Sequence, residues 1–214
     1  MSTTRVHLMR HGEVHNPGRV LYGRLPGYNL SERGQRMATR MADYWADHDI
    51  THLVCSPLDR TRQTIAPTAE RLGLEPNLDH RVIEAANLLQ GRVVNSRRSD
   101  LFKPWMWWHL RNPLRPSWGE SYRDIAARMR DAVVDAASIA DGHEALIVTH
   151  QLPIWLARLS AEGRPLVHNP ARRECTLASV TTLTFVDGRL SGTEYREPVA
   201  DLLPPKDKKL LAGL

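Results

Sequence analysis

The sequence is poor in cysteine and has no long apolar run. Its two cysteines, Cys55 and Cys175, are far apart and belong to no paired motif. They favour reduced thiols in a cytoplasmic protein, with one disulfide as the alternative. No stretch approaches the roughly 20 apolar residues of a membrane-spanning helix. The N-terminal residues also lack the apolar core of a secretory signal. We therefore expect neither secretion nor a membrane-spanning segment.

Acidic residues are the minority among the charges. The 24 Asp and Glu face 29 Lys and Arg, which gives a formal net charge of +5. Such a balance favours anionic partners, such as phosphorylated metabolites, nucleic acid or an acidic membrane surface. The 42% hydrophobic and 25% charged residues are typical of a globular protein and argue against a disordered or coiled-coil chain. A length of 214 residues predicts one domain, over residues 1–198, and a mobile tail over residues 199–214.

Short apolar runs alternate with helix-forming stretches through most of the chain. Strands are predicted at residues 6–9, 52–55 and 145–149, with a further strand or strand end at residues 81–84. Helices are predicted to begin near Ser31, Ser56, Ser117 and Leu152, and Asp187-Gly188 predicts the turn of a hairpin. This alternation predicts an α/β fold, a three-layer sandwich whose mainly parallel sheet carries helices on both faces.

Polar residues follow three of the predicted strands. Arg10-His11-Gly12, Ser56 and His150 come directly after apolar runs, and ligands bind at the carboxyl ends of strands in such sheets. An arginine offers a planar fork of donors to phosphate oxygens, and glycine lets the backbone approach a ligand. Residues 12–30 are rich in glycine and proline and predict a long ordered loop beside this edge. Taken alone, the tripeptide is also compatible with a structural histidine.

Several segments taken together carry a family resemblance. They are Arg10-His11-Gly12, the run Ser56-Pro57-Leu58-Asp59-Arg60-Thr61-Arg62-Gln63-Thr64, Glu84, Gly119-Glu120-Ser121 and Thr149-His150. In this combination the chain resembles the histidine phosphatase superfamily, the phosphoglycerate-mutase-like group, from about residue 6 to about residue 195. The resemblance implies the phosphoglycerate-mutase-like sandwich.

The resemblance also implies a mechanism. His11 is the expected nucleophile and forms a phosphohistidine. Arg10 and Arg60 are expected to hold the phosphoryl oxygens, with His150 as a further donor. Glu84 is expected to protonate the leaving group and then to activate water, so it needs a raised pKa. Neighbouring arginines lower that pKa, so burial or the bound phosphate has to outweigh them. The alternatives are that Arg60 is an exposed residue of its helix and that Glu84 only forms a salt bridge with an arginine.

No metal or other cofactor is expected. His11-Gly12-Glu13 matches half of a zinc deaminase signature, but the Pro-Cys-x-x-Cys half is absent from the chain. An arginine–histidine cage supplies the positive charge that a metal would otherwise provide. His7 and His15 are interpreted as structural residues.

Three residues are candidates for substrate binding. Asn16 either bonds a phosphoryl oxygen or forms a turn with Pro17, which stands where the family usually has its asparagine. Arg24 either contacts the phosphate or the far end of the substrate, or faces solvent. Gln151 follows His150 where the family usually has glycine. Glu84 is followed by Ala85-Ala86-Asn87-Leu88 instead of the arginine- and tyrosine-containing sequence of mutases, and this favours a phosphatase over a mutase.

Residues 90–118 are rich in both arginine and tryptophan. One interpretation is a lid that accepts an anionic substrate with an apolar part. The other is that the tryptophans form core or dimer contacts. Binding of single-stranded nucleic acid needs a stacking platform that the sequence does not indicate.

The predicted function is hydrolysis of a small phosphorylated metabolite, without a metal, through a phosphohistidine. We expect no nucleic-acid or membrane partner, and a homodimer is possible. The alternatives are a phosphoglycerate mutase and a weakly catalytic family member that binds a phosphorylated ligand.

Overall fold

The computed structural model describes residues 2–88, 90–93 and 119–204. Most of the segment interpreted as a lid or interface lies outside these residues. The end of the tail, residues 205–214, lies outside them as well.

The described residues form one mixed sheet with the strand order β3-β2-β4-β1-β5-β6. Its strands are β1 (Thr3–Arg10), β2 (Ile50–Cys55), β3 (Asn77–Leu78), β4 (Glu144–Thr149), β5 (Val180–Val186) and β6 (Arg189–Arg196). Strands β1 to β4 pair in parallel, whereas β5 runs antiparallel to β1 and to β6. All six residues of β4 are buried, as expected for a central parallel strand covered on both faces.

Helices cover both faces of the sheet. They are α1 (Glu32–Trp45), α2 (Asp59–Leu72), α3 (Tyr122–Ile139) and α4 (Gln151–Ala161). Alternate residues of β4 point to opposite faces: Ala145 and Ile147 join the core under α3 and α4, whereas Leu146 and Val148 join the core under α1 and α2. The predicted three-layer α/β sandwich is therefore confirmed. None of the helices in the described residues is long and apolar enough to span a membrane.

The register of the parallel strands brings three polar segments to one edge. Arg10 pairs with Thr149, and Cys55 pairs with Val148, so β1, β2 and β4 end side by side. The next residue of each strand continues the hydrogen bonding: the backbone N–H of His11 donates to the Thr149 carbonyl and that of Ser56 to the Val148 carbonyl, each at 3.1 Å.

The predicted strand at residues 81–84 is wrong. A 3-10 helix, His80–Val82, occupies this segment, and the third parallel strand is the two-residue β3 that precedes it. The physical reason is local. The side chain of Asp79 accepts the backbone N–H of Arg81 and also pairs with its guanidinium, which turns the chain as soon as β3 ends. Glu84 consequently lies in a loop and not on a strand.

The predicted mobile tail is wrong for its first part. Val199 is 2% exposed and packs with Leu202 and Leu203 against the core beneath α1 and α2. A 3-10 helix, Ala200–Leu202, connects these contacts. Apolar burial thus extends the packed domain beyond residue 198.

Candidate active site

His11 follows β1 directly and is 2% exposed. Its Nδ1 lies 2.8 Å from the carbonyl oxygen of Gly12. Because a carbonyl oxygen can only accept, Nδ1 carries the proton of the neutral ring and Nε2 carries the lone pair. Burial holds the pKa of His11 well below its usual value, and the charges of Arg60 and Arg10 lower it further. The result is a neutral imidazole whose Nε2 can act as a nucleophile.

Gly12 fixes the loop that carries this histidine. A Cβ atom on Gly12 would lie 2.8 Å from the carbonyl oxygen of Gly34, in the first turns of α1. The backbone N–H of Gly12 donates to the Thr64 hydroxyl at 3.1 Å. Because Gly12 has no side chain, the end of β1 packs closely against both α1 and α2. These contacts hold His11 in place.

Arg60 lies in the first turn of α2 and joins both active-site histidines. It is 1% exposed; Nε lies 3.3 Å from Nε2 of His11, and Nη2 lies 3.1 Å from Nδ1 of His150. The guanidinium lies 4.8 Å above the ring of Tyr22, and Nη2 also donates to the Gly23 carbonyl. Arg60 forms no ion pair with a carboxylate in the described part of the chain. Burial lowers its pKa, but a guanidinium remains charged at neutral pH.

His150 faces His11 across the site. The ring centroids are 5.3 Å apart. Arg60 can only donate, so Nδ1 of His150 accepts and Nε2 carries the proton that it shares with the Ser56 hydroxyl at 2.9 Å. Burial holds the pKa of His150 well below its usual value. In this state the ring is neutral, and its Nδ1 carries the lone pair that accepts from Arg60.

Arg10 supplies a second buried cation. It is 4% exposed, and its Nη1 donates to the carbonyl oxygen of Cys175 at 2.7 Å. Its charge lowers the pKa of both His11 and His150. The site thus combines two guanidinium groups with two neutral imidazoles, an arrangement that suits a phosphate dianion.

Glu84 reaches the same site from its loop. Oε2 lies 3.8 Å from Nδ1 of His150, and Oε1 accepts the backbone N–H of Ala85 at 2.8 Å. Burial raises the pKa of Glu84 and outweighs the opposing charges of Arg60, Arg10 and others. This is the direction that a general acid requires, and burial produces it before any phosphate binds.

A network on the far side of Glu84 holds its backbone. Nε of Arg24 donates to the Glu84 carbonyl at 2.7 Å, and Nη2 donates to a carboxylate oxygen of Glu120 at 2.9 Å. Glu120 also binds Arg128 at 2.7 Å. A Cβ on Gly119 would lie 2.3 Å from the Ala86 carbonyl oxygen, so glycine permits this close approach. The Gly-Glu-Ser element therefore supports the loop of Glu84.

The three candidate substrate-binding residues have structural partners. The Asn16 side chain bonds both the N–H and the carbonyl of Val20, as in the predicted turn. Arg24 is one-third exposed, and its guanidinium is engaged with Glu84 and Glu120, so it does not simply face solvent. Gln151 donates to the Cys175 carbonyl at 3.3 Å, the same carbonyl that Arg10 uses. Gln151 therefore adjoins Arg10 within the site.

Some residues of the site carry no recognisable sequence signal. Tyr22 lies in the long loop and stacks on Tyr28, with centroids 5.0 Å apart. Arg173 comes from the segment before β5, and its charge acts on Glu84. Both lie on loops, where no periodicity reports which side chains turn inward.

The zinc signature that the sequence half-matches does not assemble. The carboxylate of Glu13 accepts from the Ser31 hydroxyl at 2.6 Å and pairs with Arg33 at 2.8 Å, at the start of α1. Among the described residues, the side chains that could together hold a metal ion are His7, His48 and Glu144. Glu144 begins β4, at the end of that strand opposite to His150. His7 is 3% exposed, and its two ring nitrogens contact Thr182 and Glu144.

Comparison with known proteins identifies the family. The model of the histidine phosphatase superfamily (branch 1) matches residues 6–197. The uncharacterised protein Rv0525 of Mycobacterium tuberculosis (strain ATCC 25618 / H37Rv) is 49% identical over 92% of this chain and 98% of its own length. A protein named "Probable phosphoglycerate mutase GpmB", from Photorhabdus laumondii subsp. laumondii, is 31% identical over 82% of this chain and 84% of its own.

A solved structure gives the same result for the fold. The mycobacterial glucosyl-3-phosphoglycerate phosphatase Rv2419c superposes with a TM-score of 0.73 at 25% identity, over 91% of this chain and 96% of that one. The family match covers nearly the whole described chain and includes every segment that carried the resemblance. The chain therefore belongs to the histidine phosphatase superfamily.

Proposed function

We propose that the protein hydrolyses a small phosphomonoester through a phosphohistidine at Nε2 of His11, without a metal ion. One observation carries the proposal. The buried guanidinium of Arg60 bridges two neutral imidazoles and has no carboxylate partner among the described residues. A buried cation without a counter-ion is costly, and a phosphate dianion between Arg60 and Arg10 would neutralise it.

The first chemical step transfers the phosphoryl group to the enzyme. Nε2 of His11 forms the bond to phosphorus as the bond between phosphorus and the ester oxygen breaks. Glu84, whose raised pKa favours its protonated form, gives its proton to the departing alkoxide. Arg10 and Arg60 stabilise the charge on the equatorial oxygens, and His150 adds a further donor when the bound dianion draws a proton to its Nδ1.

The second step returns the enzyme to its starting state. The carboxylate of Glu84 takes a proton from a water molecule, whose oxygen attacks phosphorus. The bond between Nε2 and phosphorus breaks, and inorganic phosphate leaves. Glu84 regains its proton and His11 its lone pair, so the cycle balances with water as the co-reactant.

Hydrolysis is favoured over phosphoryl transfer between substrates by the loop after Glu84. Its side chains begin with Ala85 and Ala86, and the backbone of Ala86 is occupied by Glu120 through both its N–H and its carbonyl. This loop offers no arginine next to Glu84 to hold a substrate carboxylate in a mutase orientation. One similar protein is named a phosphatase and another a probable mutase, so a mutase is the second candidate.

The test is release of inorganic phosphate from a panel of phosphomonoesters in the presence of EDTA. The panel contains p-nitrophenyl phosphate, 3-phosphoglycerate and several sugar phosphates. We expect turnover by the wild type, loss of turnover in His11→Ala, and no change in His15→Ala, an exposed histidine of the same loop. Rapid quenching is expected to trap an acid-labile phosphoprotein in the wild type.

Three other results would contradict the proposed mechanism or function. Equal turnover by wild type and His11→Ala would exclude His11 as the nucleophile. Interconversion of 2- and 3-phosphoglycerate faster than phosphate release would establish the mutase. Tight phosphate binding with no turnover would indicate the binding protein.

We also propose a cytoplasmic location, which the two buried free thiols of Cys55 and Cys175 support. The small phosphorylated substrate is the expected partner. The possible homodimer and the expected lack of nucleic-acid or membrane partners remain predictions.

A further inference from the structure

The segment between α4 and β5 borders the candidate site, and we name its residues 166–175 the strap. Its end is tied to the site because the carbonyl oxygen of Cys175 accepts from both Arg10 and Gln151. Its outer side is tied to α4 by an ion pair between Glu174 and Arg158 at 3.1 Å. These contacts fix the strap beside the phosphate-binding cations.

A histidine of the strap holds Arg173 in one orientation. Nδ1 of His168 donates to the Leu166 carbonyl at 2.7 Å, which leaves Nε2 as an acceptor. Nε of Arg173 donates to that Nε2 at 2.8 Å. The His168 ring stacks on Tyr122, at the first residue of α3, with centroids 5.4 Å apart. The half-buried Arg173 is thus positioned by a neutral, immobilised imidazole.

The charge of Arg173 has no carboxylate partner in the part of the chain that the structure describes. Its acidic neighbour Glu174 turns away to Arg158. The hydrogen bond to His168 uses only Nε, so neither Nη1 nor Nη2 has a partner among the described residues. The edge formed by these two nitrogens is the one that binds a carboxylate or phosphate with two parallel hydrogen bonds.

The free edge of Arg173 belongs to the surroundings of Glu84. Arg173 lies two residues from Cys175, whose carbonyl oxygen binds Arg10 and Gln151 in the site. Its charge interacts with Glu84, Tyr122 and Arg10, and it contributes to the pKa of Glu84. Glu84 is the group that faces the leaving-group side in the proposed reaction. Arg173 therefore lies on the side of the site where the non-phosphate part of the substrate departs.

From this placement we propose that Arg173 and His168 form an anion subsite that selects phosphomonoesters with a second negative group, a carboxylate or a further phosphate, on the leaving alcohol. The inference rests on the proposed function because it places the leaving alcohol beside Glu84. Arg173 is the specificity-determining residue, and His168 is its positioning residue. Arg10 and Arg60 bind the transferred phosphate, and Arg173 binds the second anion.

The test measures binding to a His11→Ala background, in which the esters stay intact. Two matched pairs are titrated by calorimetry. They are 3-phosphoglycerate with glycerol 3-phosphate, and 6-phosphogluconate with glucitol 6-phosphate. Within each pair a carboxylate replaces a hydroxymethyl group, and the two pairs differ in the length of the arm. We expect the carboxylate to bind about tenfold tighter or more in at least one pair, since a charge-assisted bidentate contact contributes on that scale.

Variants assign this preference to one residue. Arg173→Gln is expected to reduce the ratio to about one or two while the hydroxymethyl esters keep their affinity within about threefold. Arg173→Lys keeps the charge without the fork and is expected to give an intermediate ratio. Arg172→Gln removes an exposed neighbour, the last residue of the 3-10 helix that Arg173 follows, and is expected to leave the ratio unchanged, which controls for general attraction of charge.

The proposal is overturned if neither pair shows a preference, or if Arg173→Gln keeps it. It is also overturned if Arg173→Gln and Arg173→Lys weaken both members of a pair equally, because that result would mean that Arg173 only stabilises the fold. The proposed function fails on different data, namely no phosphate release by the wild type from any of the four esters. The binding ratios remain measurable in that case, so the two failures are distinguishable.

Discussion

Nε of Arg60 lies 3.3 Å from Nε2 of His11, while Nη2 of the same guanidinium lies 3.1 Å from Nδ1 of His150. One buried arginine therefore donates to the lone-pair nitrogen of both rings that face the substrate. Its position depends on α2, which begins at Asp59, four residues after the end of β2. One short chain segment therefore sets both the sheet edge and the position of this charge.

Replacing Arg60 tests whether its contacts with both histidines contribute to catalysis in addition to its positive charge. Arg60→Lys retains a cation but cannot contact His11, His150 and the Gly23 carbonyl together. We expect kcat/KM to fall by about 10²–10³, the usual cost of losing one oxyanion donor. Arg62→Lys, an exposed residue of the same helix, is the matched control and should stay within about twofold. Comparable losses in both variants would show that the effect comes from α2 as a whole.

The pH dependence of kcat/KM follows from two shifts of opposite sign. The pKa of His11 is well below its usual value, so the nucleophile stays neutral as the pH falls through about 6.5. The pKa of Glu84 is raised, so the acid stays protonated to a higher pH than a free carboxyl group. Activity on an alkyl phosphate should therefore persist below about pH 6.5 and decline as the pH rises through the raised pKa of Glu84.

Glu84→Gln should remove that decline and reduce kcat on alkyl phosphates by about 10²–10⁴. The loss should be much smaller on p-nitrophenyl phosphate, because its phenolate leaves without a proton. Profiles measured on both esters provide the control for folding. Equal losses on the two esters would argue that Glu84 holds the loop and does not donate a proton.

Much of this arrangement follows from the sequence. The apolar runs that end at Arg10, Cys55 and Thr149 predict the strands of a parallel sheet, and parallel strands must deliver their next residues to one edge. The Asp187-Gly188 hairpin is also confirmed, because both residues take the positive φ that its tight turn needs. These features depend on local pattern and backbone preference, which one sequence reports directly.

Other features depend on contacts between distant segments. The 3-10 helix at residues 80–82 is capped by the side chain of Asp79. This local hydrogen bond overrides the short apolar pattern that predicts a strand. The packing of Val199 against α1 and α2 depends on a core that no local pattern describes. Arg173 is a loop arginine among many, and its significance comes from the position of Glu84, far away in the chain.

Glu120 is expected to act on catalysis through the loop of Glu84. Its carboxylate accepts from Arg24 and Arg128, and Arg24 in turn holds the Glu84 carbonyl. Glu120→Gln should lower the kcat for alkyl phosphates by about tenfold, with little change in KM, and should cost about 2 kcal/mol of unfolding free energy. The double variant with Glu84→Gln separates positioning from mere destabilisation. It should be no slower than Glu84→Gln alone, because a misplaced acid and an absent acid have the same effect. Additive losses would place the role of Glu120 elsewhere.

Acid stability should depend on the opposite end of the sheet. Glu144 accepts hydrogen bonds at 3.1 Å from His7, 2.8 Å from His48 and 3.0 Å from Arg5, and these contacts lower its pKa to about 2. A carboxyl group whose pKa is lower when folded stabilises the fold above its unfolded pKa, and this contribution is lost as the pH falls from about 4.5 toward about 2. The pKa of His7 is lowered by burial, so its unfolded form gains a proton first, and the loss of stability begins near pH 6.5.

Glu144→Gln isolates the carboxylate from this cluster. The variant should be less stable than the wild type by about 2 kcal/mol at neutral pH, and the difference should shrink as the pH falls below about 4. Urea unfolding between pH 3 and pH 7 measures both quantities. Glu162→Gln is the comparison, because that carboxylate is also paired with arginines but lies at the end of α4, outside the cluster. A constant difference across the pH range would mean that Glu144 stabilises the sheet by hydrogen bonding and packing, and that its ionisation contributes nothing.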